Sequence, residues 1–339
     1  MSITVSDPFG AVSDSQLPML ALALDPVAAK SEFKRRLPRL SGEGRLQLKA
    51  IRVIRHKPGR RCVVEYDVEV KQPDAPQHVV TLIGKIRARR SGNEGFRQLE
   101  AVWNAGFQSD SADGISVPEQ IGVISRFQMW FQRKIEGETA TRLLTEQDGV
   151  RLAVRIAEAI HKLHRANVPT ERAHTMTDEL RILRECLTKV AGQKPEWSAR
   201  IGRLMHASER LGATVPEPKA SGIHRDFYPA QVIVDASRLY LIDFDLYCQG
   251  DPGLDVGNFI GHMTEQSLRE RGHAEALAEQ ERALEERFVE LAGNASRTAI
   301  RVYTTLTLVR HVFLSTQFPE RQQSTEKLLQ LCEQRLGLA

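Results

Sequence analysis

The chain has 339 residues, of which 41% are hydrophobic and 27% are charged. This length is sufficient for two lobes with a sizeable core, and this composition is ordinary for a soluble globular protein. The formal net charge of +4 is small for the length and is spread along the chain, so we expect no nucleic-acid partner. The four cysteines form no Cys-x-x-Cys pair, which argues against a disulfide framework or a zinc site.

The N-terminal part of the sequence predicts a short helical extension, residues 1–45. Asp25 and Pro26 form a favourable helix start, with the helix running to about Arg36 and ending before Pro38. A polar linker is predicted at 41–44. The apolar stretch 17–24 is too short to span a bilayer and follows no basic segment, so we expect no membrane partner and a cytoplasmic protein.

Residues 46–135 predict an N-terminal lobe built on an antiparallel sheet. Hydrophobic residues alternate there in three adjacent runs, a helical stretch follows, and two more strand-like runs complete the lobe. The predicted strands are 48–54, 62–70, 78–86, 117–124 and 126–132, with a basic turn at 57–61, a polar loop at 72–76 and the helix at 93–105.

Residues 136–339 predict a mainly helical C-terminal lobe. Apolar residues recur there three or four positions apart, as on one face of a helix. One stripe contains Leu152, Ile156 and Ile160. The last predicted helices are 274–292, 297–314 and 324–336.

The segment 221–259 interrupts this helical lobe with a predicted β-hairpin. Two short apolar runs, 231–235 and 239–242, are separated by a polar turn. A hairpin brings the residues before its first strand and after its second strand to the same end, so we expect Asp226 and Asp243 to lie near each other. Two converging carboxylates repel, and they therefore require a metal ion, a shared proton or a cation between them.

The spacing of these residues resembles a known family of kinases. The pattern H-R-D-x-x-x-x-Q at 224–231, followed by I-D-F-D at 242–245, resembles the kinase catalytic loop and metal-binding turn. The Gly-Asp-Pro-x-x-Asp segment at 250–255 is similar to that of the aminoglycoside phosphotransferase and choline kinase family. The resemblance covers about residues 46–320.

This resemblance implies an α+β, bilobal, protein-kinase-like fold that binds ATP and Mg²⁺. The implied reaction moves the γ-phosphoryl group of ATP to a hydroxyl of a small molecule, with the acceptor bound by helices after Gly261. Asp226 would be the catalytic base, and Asp243 a metal ligand. Asp245 would add a second metal group or would be a solvated turn residue. Gln231 takes the position of the family's metal-binding Asn, or else is a polar residue that begins the strand.

In the N-terminal lobe, the resemblance implies that Lys85 holds phosphate and pairs with Glu94 or Glu100, of which we prefer Glu100. The turn 57–61 stands where a Gly-rich loop would cover the phosphates. Gly59 with Arg60 or Arg61 would bind them there, unless the turn is only an exposed basic hairpin tip. The segment 131–137, with Gln132 and Lys134, resembles the hinge that binds adenine, although a plain edge strand would give the same pattern.

Two further residues, His224 and Asp255, are predicted to be architectural, with Asp255 bonded to the backbone of the catalytic loop. The competing hypothesis is a nucleotide-binding pseudokinase that acts as a sensor or partner-binding protein, which Gln231 and the missing Gly-rich loop favour. The presence of Lys85, Asp226 and Asp243 together favours the enzyme. A nucleic-acid binder is a distant third interpretation.

Overall fold

A computed structural model of the chain describes residues 3–37, 40, 44–71, 76–88 and 93–338. The predicted linker at 41–44 and the predicted loop at 72–76 lie almost entirely outside these residues. The chain divides into two compact units, Met1–Glu136 and Gly137–Ala339.

The first unit is built on a six-stranded sheet with the order β1-β2-β3-β4-β7-β6. Strand β1 pairs in parallel with β2, and the other neighbours are antiparallel. The strands of this unit are β1 (Thr4–Ser6), β2 (Arg45–Lys57), β3 (Arg61–Lys71), β4 (His78–Arg87), β5 (Ile115–Ser116), β6 (Gln120–Ile124) and β7 (Met129–Arg133), of which β5 lies outside this sheet.

The sheet strands agree with the alternating pattern except at two starts. Strand β6 begins at Gln120 rather than at residue 117, and β7 begins at Met129 rather than at 126. A 3-10 turn at Ser125–Phe127 separates them, and Gln128 adopts a left-handed backbone with φ of 50°. Such a tight connection uses residues that would otherwise pair in the ladder. Strand β1 was not predicted.

The helices of this unit are α1 (Met19–Leu24), α2 (Pro26–Arg36) and α3 (Asn93–Asn104). The Asp25 carboxylate caps α2 by accepting a hydrogen bond of 2.7 Å from the Ala28 amide, as the sequence indicated. Phe33 of α2 packs 5.0 Å from Tyr66 and 5.3 Å from Phe131, between ring centroids. The N-terminal segment is therefore part of the core of the sheet unit.

The second unit is mainly helical. The sequence predicted its last three helices. It did not predict the helix Pro252–Arg271 (α8), because the glycines in its first half are typical of a loop. Within the described residues, no helix is both long enough and apolar enough to cross a membrane. The helices are α4 (Ala140–Leu143), α5 (Gly149–Ala166), α6 (Met176–Gln193), α7 (Ser198–Gly212), α8 (Pro252–Arg271), α9 (Ala278–Ala292), α10 (Ser296–Gln317) and α11 (Thr325–Arg335).

Two small sheets lie among these helices. The predicted hairpin is present as β10 (Val232–Asp235) and β11 (Arg238–Leu241), with Val232 opposite Leu241 at its open end. Strand β8 (Glu138–Thr139) pairs with β10. Strand β9 (Ser221–Ile223) pairs with β12 (Cys248–Gly250), which joins the segment before His224 to the segment after Asp243.

Helices α8 and α10 approach closely through a glycine stripe. A Cβ atom at Gly257 would lie 2.6 Å from the Ile300 carbonyl oxygen, and one at Gly261 would lie 2.7 Å from Thr307 Cγ2. Real Cβ atoms do not tolerate such contacts, so only glycine permits this separation. The close packing fixes the polar face of α8.

Candidate active site

The loop that carries Asp226 is held by one buried carboxylate. Asp255, on the first turn of α8, is 0% exposed. Its Oδ2 accepts a 2.8 Å hydrogen bond from the His224 amide, and its Oδ1 accepts one of 2.7 Å from the Arg225 amide. His164 Nε2 lies 2.8 Å from the same Oδ2. The predicted bond between Asp255 and the loop backbone is therefore confirmed.

Arg225 needs this support because its backbone is left-handed, with φ of 69°. A non-glycine residue in that region costs about 1–2 kcal/mol. The two amide bonds to Asp255 offset this cost and fix the direction in which Asp226 leaves the loop. Within this loop, the backbone strain is confined to Arg225.

The same loop is tied to the open end of the hairpin. His224 Nε2 donates a 2.8 Å hydrogen bond to the Ile242 carbonyl oxygen, and the Ile242 amide donates one of 3.0 Å to the Gln231 carbonyl oxygen. Asp243 follows directly with a left-handed φ of 64°. Asp226 and Asp243 thus lie on neighbouring segments that are hydrogen-bonded to each other.

These segments present oxygen donors suited to Mg²⁺, which prefers carboxylate and amide oxygens. Gln231 is only 5% exposed, and its side-chain amide has no hydrogen-bond partner within the described part of the chain. The Asp245 carbonyl oxygen accepts a 2.8 Å bond from Arg172 Nη1, which positions the turn 243–245. Among the described residues, no three His, Cys, Asp or Glu side chains form a metal-binding group.

Asp226 opens into a cavity of about 450 Å³. Its carboxylate is half-buried and makes no hydrogen bond or ion pair with any described residue. The cavity therefore contains a carboxylate that no described side chain occupies. It is lined by Thr141, Asp226, Tyr228, Pro229, Ala230, His262, Glu265, Gln266, Arg269, Arg310, Leu314, Phe318 and Arg321.

A buried polar network supports one wall of this cavity. Arg310 donates hydrogen bonds of 3.0 Å to Glu179 Oε1 and 2.6 Å to Asn258 Oδ1. Asn258 in turn donates one of 2.9 Å to the Phe227 carbonyl oxygen, next to Asp226. Burial raises the pKa of Glu179, but Arg310 and His174 outweigh that effect and lower it to about 2.

Sequence reasoning did not identify the residues of this wall. The available signal was a polar stripe at spacings of three and four along α8, which a helix places on one face. A stripe of polar residues that a helix buries is more informative than one at the surface, because each member needs a partner. The stripe consists of Asp255, Asn258, His262, Glu265 and Arg269.

In the sheet unit, Lys85 and the start of α3 meet at Trp130. Lys85 Nζ lies 4.9 Å from the centroid of the Trp130 ring. A Cβ atom at Gly95 would lie 3.1 Å from Trp130 Nε1, so the first turn of α3 packs against the same side chain. This turn carries Glu94, whereas Glu100 lies more than one helical turn further along.

The turn between β2 and β3 is bonded to the side chain of Asp14. Gly59 has φ of 67°, and its amide donates a 2.8 Å hydrogen bond to Asp14 Oδ2. His56 Nε2 lies 2.8 Å from the same oxygen. The bond from Gly59 and the contact with His56 lower the pKa of Asp14. The Gly59 amide is thus bonded to a carboxylate in this structure, and the phosphate-binding roles of Gly59 and Arg60 stay predictions.

The residues predicted at the adenine hinge lie at the end of β7. Gln132 is buried opposite Ile83 of β4. Lys134 donates its amide to the Thr81 carbonyl oxygen at 2.8 Å, and its Nζ lies 2.9 Å from Glu65 Oε1. Both residues therefore have structural partners within the sheet unit, and their role towards a nucleotide stays a prediction.

This architecture is that of small-molecule kinases of known structure. Spectinomycin phosphotransferase, solved with ADP and spectinomycin, is 11% identical over 91% of this chain and 97% of its own, with a TM-score of 0.57. Choline kinase from Cryptosporidium parvum Iowa II is 14% identical over 92% and 95%, with a TM-score of 0.56. A choline/ethanolamine kinase family protein from Mesorhizobium loti is 13% identical over 91% and 93%, with a TM-score of 0.53. These similarities confirm the predicted α+β, kinase-like fold.

The family follows from the sequence itself. The model of the phosphotransferase enzyme family that includes the aminoglycoside phosphotransferases matches residues 106–294, which is more than half of the chain. The chain belongs to this family, as its motifs predicted, and it is a small-molecule kinase. No curated protein sequence matches the chain significantly.

Proposed function

We propose that the protein transfers the γ-phosphoryl group of ATP to a hydroxyl group of a small molecule. The observation that carries this proposal is the unpartnered carboxylate of Asp226 in a cavity of about 450 Å³, on a loop fixed by Asp255. A cavity of this size suits a small-molecule acceptor.

Asp226 is the base of the proposed reaction. The acceptor oxygen bonds to the transferred phosphorus, its proton passes to the Asp226 carboxylate, and the bond from phosphorus to the leaving ADP oxygen breaks. Because there is little covalent chemistry for the protein to perform, positioning is its main contribution. The bonds from Asp255 to the loop supply that positioning here.

Magnesium would be held by Asp243, with Gln231 and Asp245 completing the oxygen donors that the chain supplies. Gln231 is 5% exposed, and its side-chain amide bonds to no described residue, so its amide oxygen is available to a metal ion. When bound, the ion neutralises the charge of the phosphate oxygens. Gln has the same amide oxygen as Asn on a longer stem, so its role depends on the backbone position that the hairpin sets.

ATP would be held in part by Lys85, whose ammonium group lies over the Trp130 ring. The first turn of α3 packs on Trp130, which makes Glu94 a candidate partner beside the predicted Glu100. Gln132 and Lys134 remain the proposed adenine contacts. Among the similar structures, spectinomycin phosphotransferase was solved with ADP, and an aminoglycoside phosphotransferase with AMP-PNP and hygromycin B. These names support a nucleotide as phosphoryl donor. The cytoplasmic location stays a prediction from the sequence.

The proposal is tested by calorimetric titration of the full-length protein with ATP, with and without Mg²⁺. We expect Mg²⁺-dependent binding, and we expect Asp243→Asn to abolish that dependence. Asp235→Asn, at the exposed turn of the same hairpin, is the matched control and should bind as the unmodified protein does.

Absence of ATP binding under both conditions would contradict the proposal. The pseudokinase hypothesis would be favoured instead if the protein binds ATP, forms no ADP with any acceptor tested, and binds ATP equally well as the Asp226→Ala variant. Because Asp226 and Asp243 are altered in separate variants, loss of chemistry and loss of the metal are distinguished.

A further inference from the structure

The cavity around Asp226 contains more positive than negative side chains. Its lining includes three arginines and two acids. Which of these charges a ligand would meet depends on how each side chain is already paired. The arginines are Arg269, Arg310 and Arg321, and the acids are Asp226 and Glu265.

Two of the arginines are bound by acidic partners. Arg269 lies 3.0 Å from Glu265 and 3.0 Å from Glu270, and Arg310 lies 3.0 Å from Glu179. Their charges are therefore largely compensated inside the protein. Pairing of this kind holds the guanidinium groups in place but leaves little net charge for a ligand.

Arg321 is different from these two. Its guanidinium carbon lies 5.2 Å from the centroid of the Phe318 ring, and no acidic side chain in the described part of the chain forms an ion pair with it. A guanidinium on an aromatic face keeps its donors free at the edge and is a suitable partner for an oxyanion. Arg321 thus gives the cavity an uncompensated positive charge.

The acids of the lining offer no matching site for a cation. Glu265 is buried and is bound to Arg269. Among the described lining residues, this leaves Asp226 as the acid without an arginine partner, and the proposed reaction requires Asp226 for the acceptor hydroxyl. A cationic group elsewhere on the acceptor would face Arg321 without a compensating carboxylate.

The cavity histidine, His262, and its neighbour His311 add no positive charge at neutral pH. His262 stacks on Tyr228 with ring centroids 4.6 Å apart, and its Nε2 lies 3.3 Å from His311 Nε2. Burial and, to a smaller extent, the charges of Arg310 and Arg321 together lower the pKa of His262 to about 3. Burial and the same two arginines also hold the pKa of His311 well below its usual value.

We propose that the acceptor is an anion: a small hydroxyl compound whose carboxylate, sulfonate or phosphate group binds Arg321 while its hydroxyl meets Asp226. Leu314 and Phe318 add apolar surface to the same cavity. This inference rests on the proposed function, since it identifies the cavity as the acceptor site. It excludes choline-like cations as the preferred acceptors.

A set of three alcohols with the same two-carbon spacer and a tetrahedral end group of different charge tests this inference. The compounds are 2-hydroxyethanesulfonate, 3,3-dimethylbutan-1-ol and choline, which place an anionic, a neutral or a cationic group at the same distance from the hydroxyl. Binding to the full-length protein is measured by saturation-transfer NMR at millimolar concentrations, without nucleotide. We expect the sulfonate to bind most tightly and choline most weakly.

Arg321 variants connect this preference to the proposed residue. Arg321→Ala should weaken sulfonate binding about tenfold, which corresponds to the loss of one charge-assisted hydrogen bond, and should leave binding of the neutral alcohol unchanged. Arg321→Glu should reverse the order in favour of choline. Arg151→Ala, which removes an arginine that is 79% exposed at its side chain and lies outside this cavity, is the matched control.

Three results would overturn the inference: choline binding at least as well as the sulfonate, sulfonate binding that Arg321→Ala does not change, or no binding of the sulfonate. None of these measurements involves ATP. A protein that binds the anion through Arg321 but never releases ADP would retain the anion site and lose the proposed phosphotransfer. Phosphoryl transfer that prefers cationic alcohols would support the proposed phosphotransfer and would overturn the anion site.

Discussion

At the scale of single residues, the environment of each carboxylate sets its role. Asp255, Glu265 and Glu179 are buried and bonded, so they organise neighbouring segments. Asp226 is half-buried and has no bonded partner among the described residues. Identical chemical groups are therefore bonded within the protein in one case and left accessible to a ligand in the other, where we propose the catalytic base.

Asp226→Asn should lower kcat by about 10²–10⁴-fold, because a positioned general base contributes that much to the rate. ADP release in the presence of a working acceptor measures this, and nucleotide affinity should be unchanged. A variant that keeps more than a tenth of the activity would rule out Asp226 as the base. Asp235→Asn is again the control.

Glu281 on α9 predicts an unusual pH dependence of stability. The carboxylate accepts a 2.8 Å hydrogen bond from the Thr264 hydroxyl, and burial raises its pKa to about 7 although that bond acts in the opposite direction. An unfolded Glu titrates near about 4.3. Between these values the folded state binds more protons than the unfolded state, so this residue lowers stability as the pH rises.

Glu281→Gln should remove this contribution. Relative to the unmodified protein, the variant should gain about 1 kcal/mol in free energy of unfolding between pH 5 and pH 8, after allowance for the partial exposure of the site. Urea unfolding at both pH values measures the change. Glu279→Gln, on an exposed face of the same helix, should leave the difference between the two pH values as it is.

At the scale of secondary-structure elements, the contact between α8 and α10 holds the site. The glycine stripe on one face of α8 permits close approach to α10, and the polar stripe carries Asp255 to the loop and His262 to the cavity. The orientation of α8 about its axis thus sets both its packing against α10 and the positions of Asp255 and His262.

Gly257→Ala should destabilise the protein by about 1–3 kcal/mol, as overpacking does in a tight core. It should also reduce activity, because α8 must shift and Asp255 moves with it. Gly202→Ala in α7 is the matched control, since a Cβ atom there meets nothing within 4 Å. That substitution should stabilise by up to about 1 kcal/mol. Equal effects of the two substitutions on thermal unfolding would disprove the packing argument.

At the scale of the whole molecule, the N-terminal segment is integral to the sheet unit. Phe33 and Leu20 are fully buried with residues of the strands, and the Tyr66 hydroxyl donates a 3.0 Å hydrogen bond to the Ala23 carbonyl oxygen. The Asp14 carboxylate also holds the β2–β3 turn through Gly59. A segment that resembles an extension in sequence thus completes a core.

Phe33→Ala should lower the free energy of unfolding by about 3–5 kcal/mol, which is the usual cost of removing a buried aromatic ring. Val27→Ala on the same helix is the control, because Val27 is 77% exposed and its loss should change stability by less than about 0.5 kcal/mol. Chemical denaturation followed by tryptophan fluorescence compares the two. Similar values would mean that the segment does not share the core.

The sequence by itself determined the parts that depend on neighbouring residues. Alternation over 48–54 and 62–70 predicted two strands, Asp25 and Pro26 predicted the start of α2, and the spacing within 224–255 predicted the family. These signals are local, because periodicity, capping and turn formation involve residues a few positions apart. Asp251 and Pro252 repeat the helix-start signal of Asp25 and Pro26, but the glycines that follow concealed α8.

Only the tertiary structure decided what depends on distant residues. Asp255 bonds to Arg225 from 30 positions away, Asp14 reaches Gly59 across 45, and Arg310 reaches Asn258 across 52. No local pattern records such pairs, because each is selected by the packing of elements that the chain brings together only when folded. The uncompensated charge of Arg321 belongs to the same class: it follows from which acids pair with Arg269 and Arg310, and the sequence does not state that pairing.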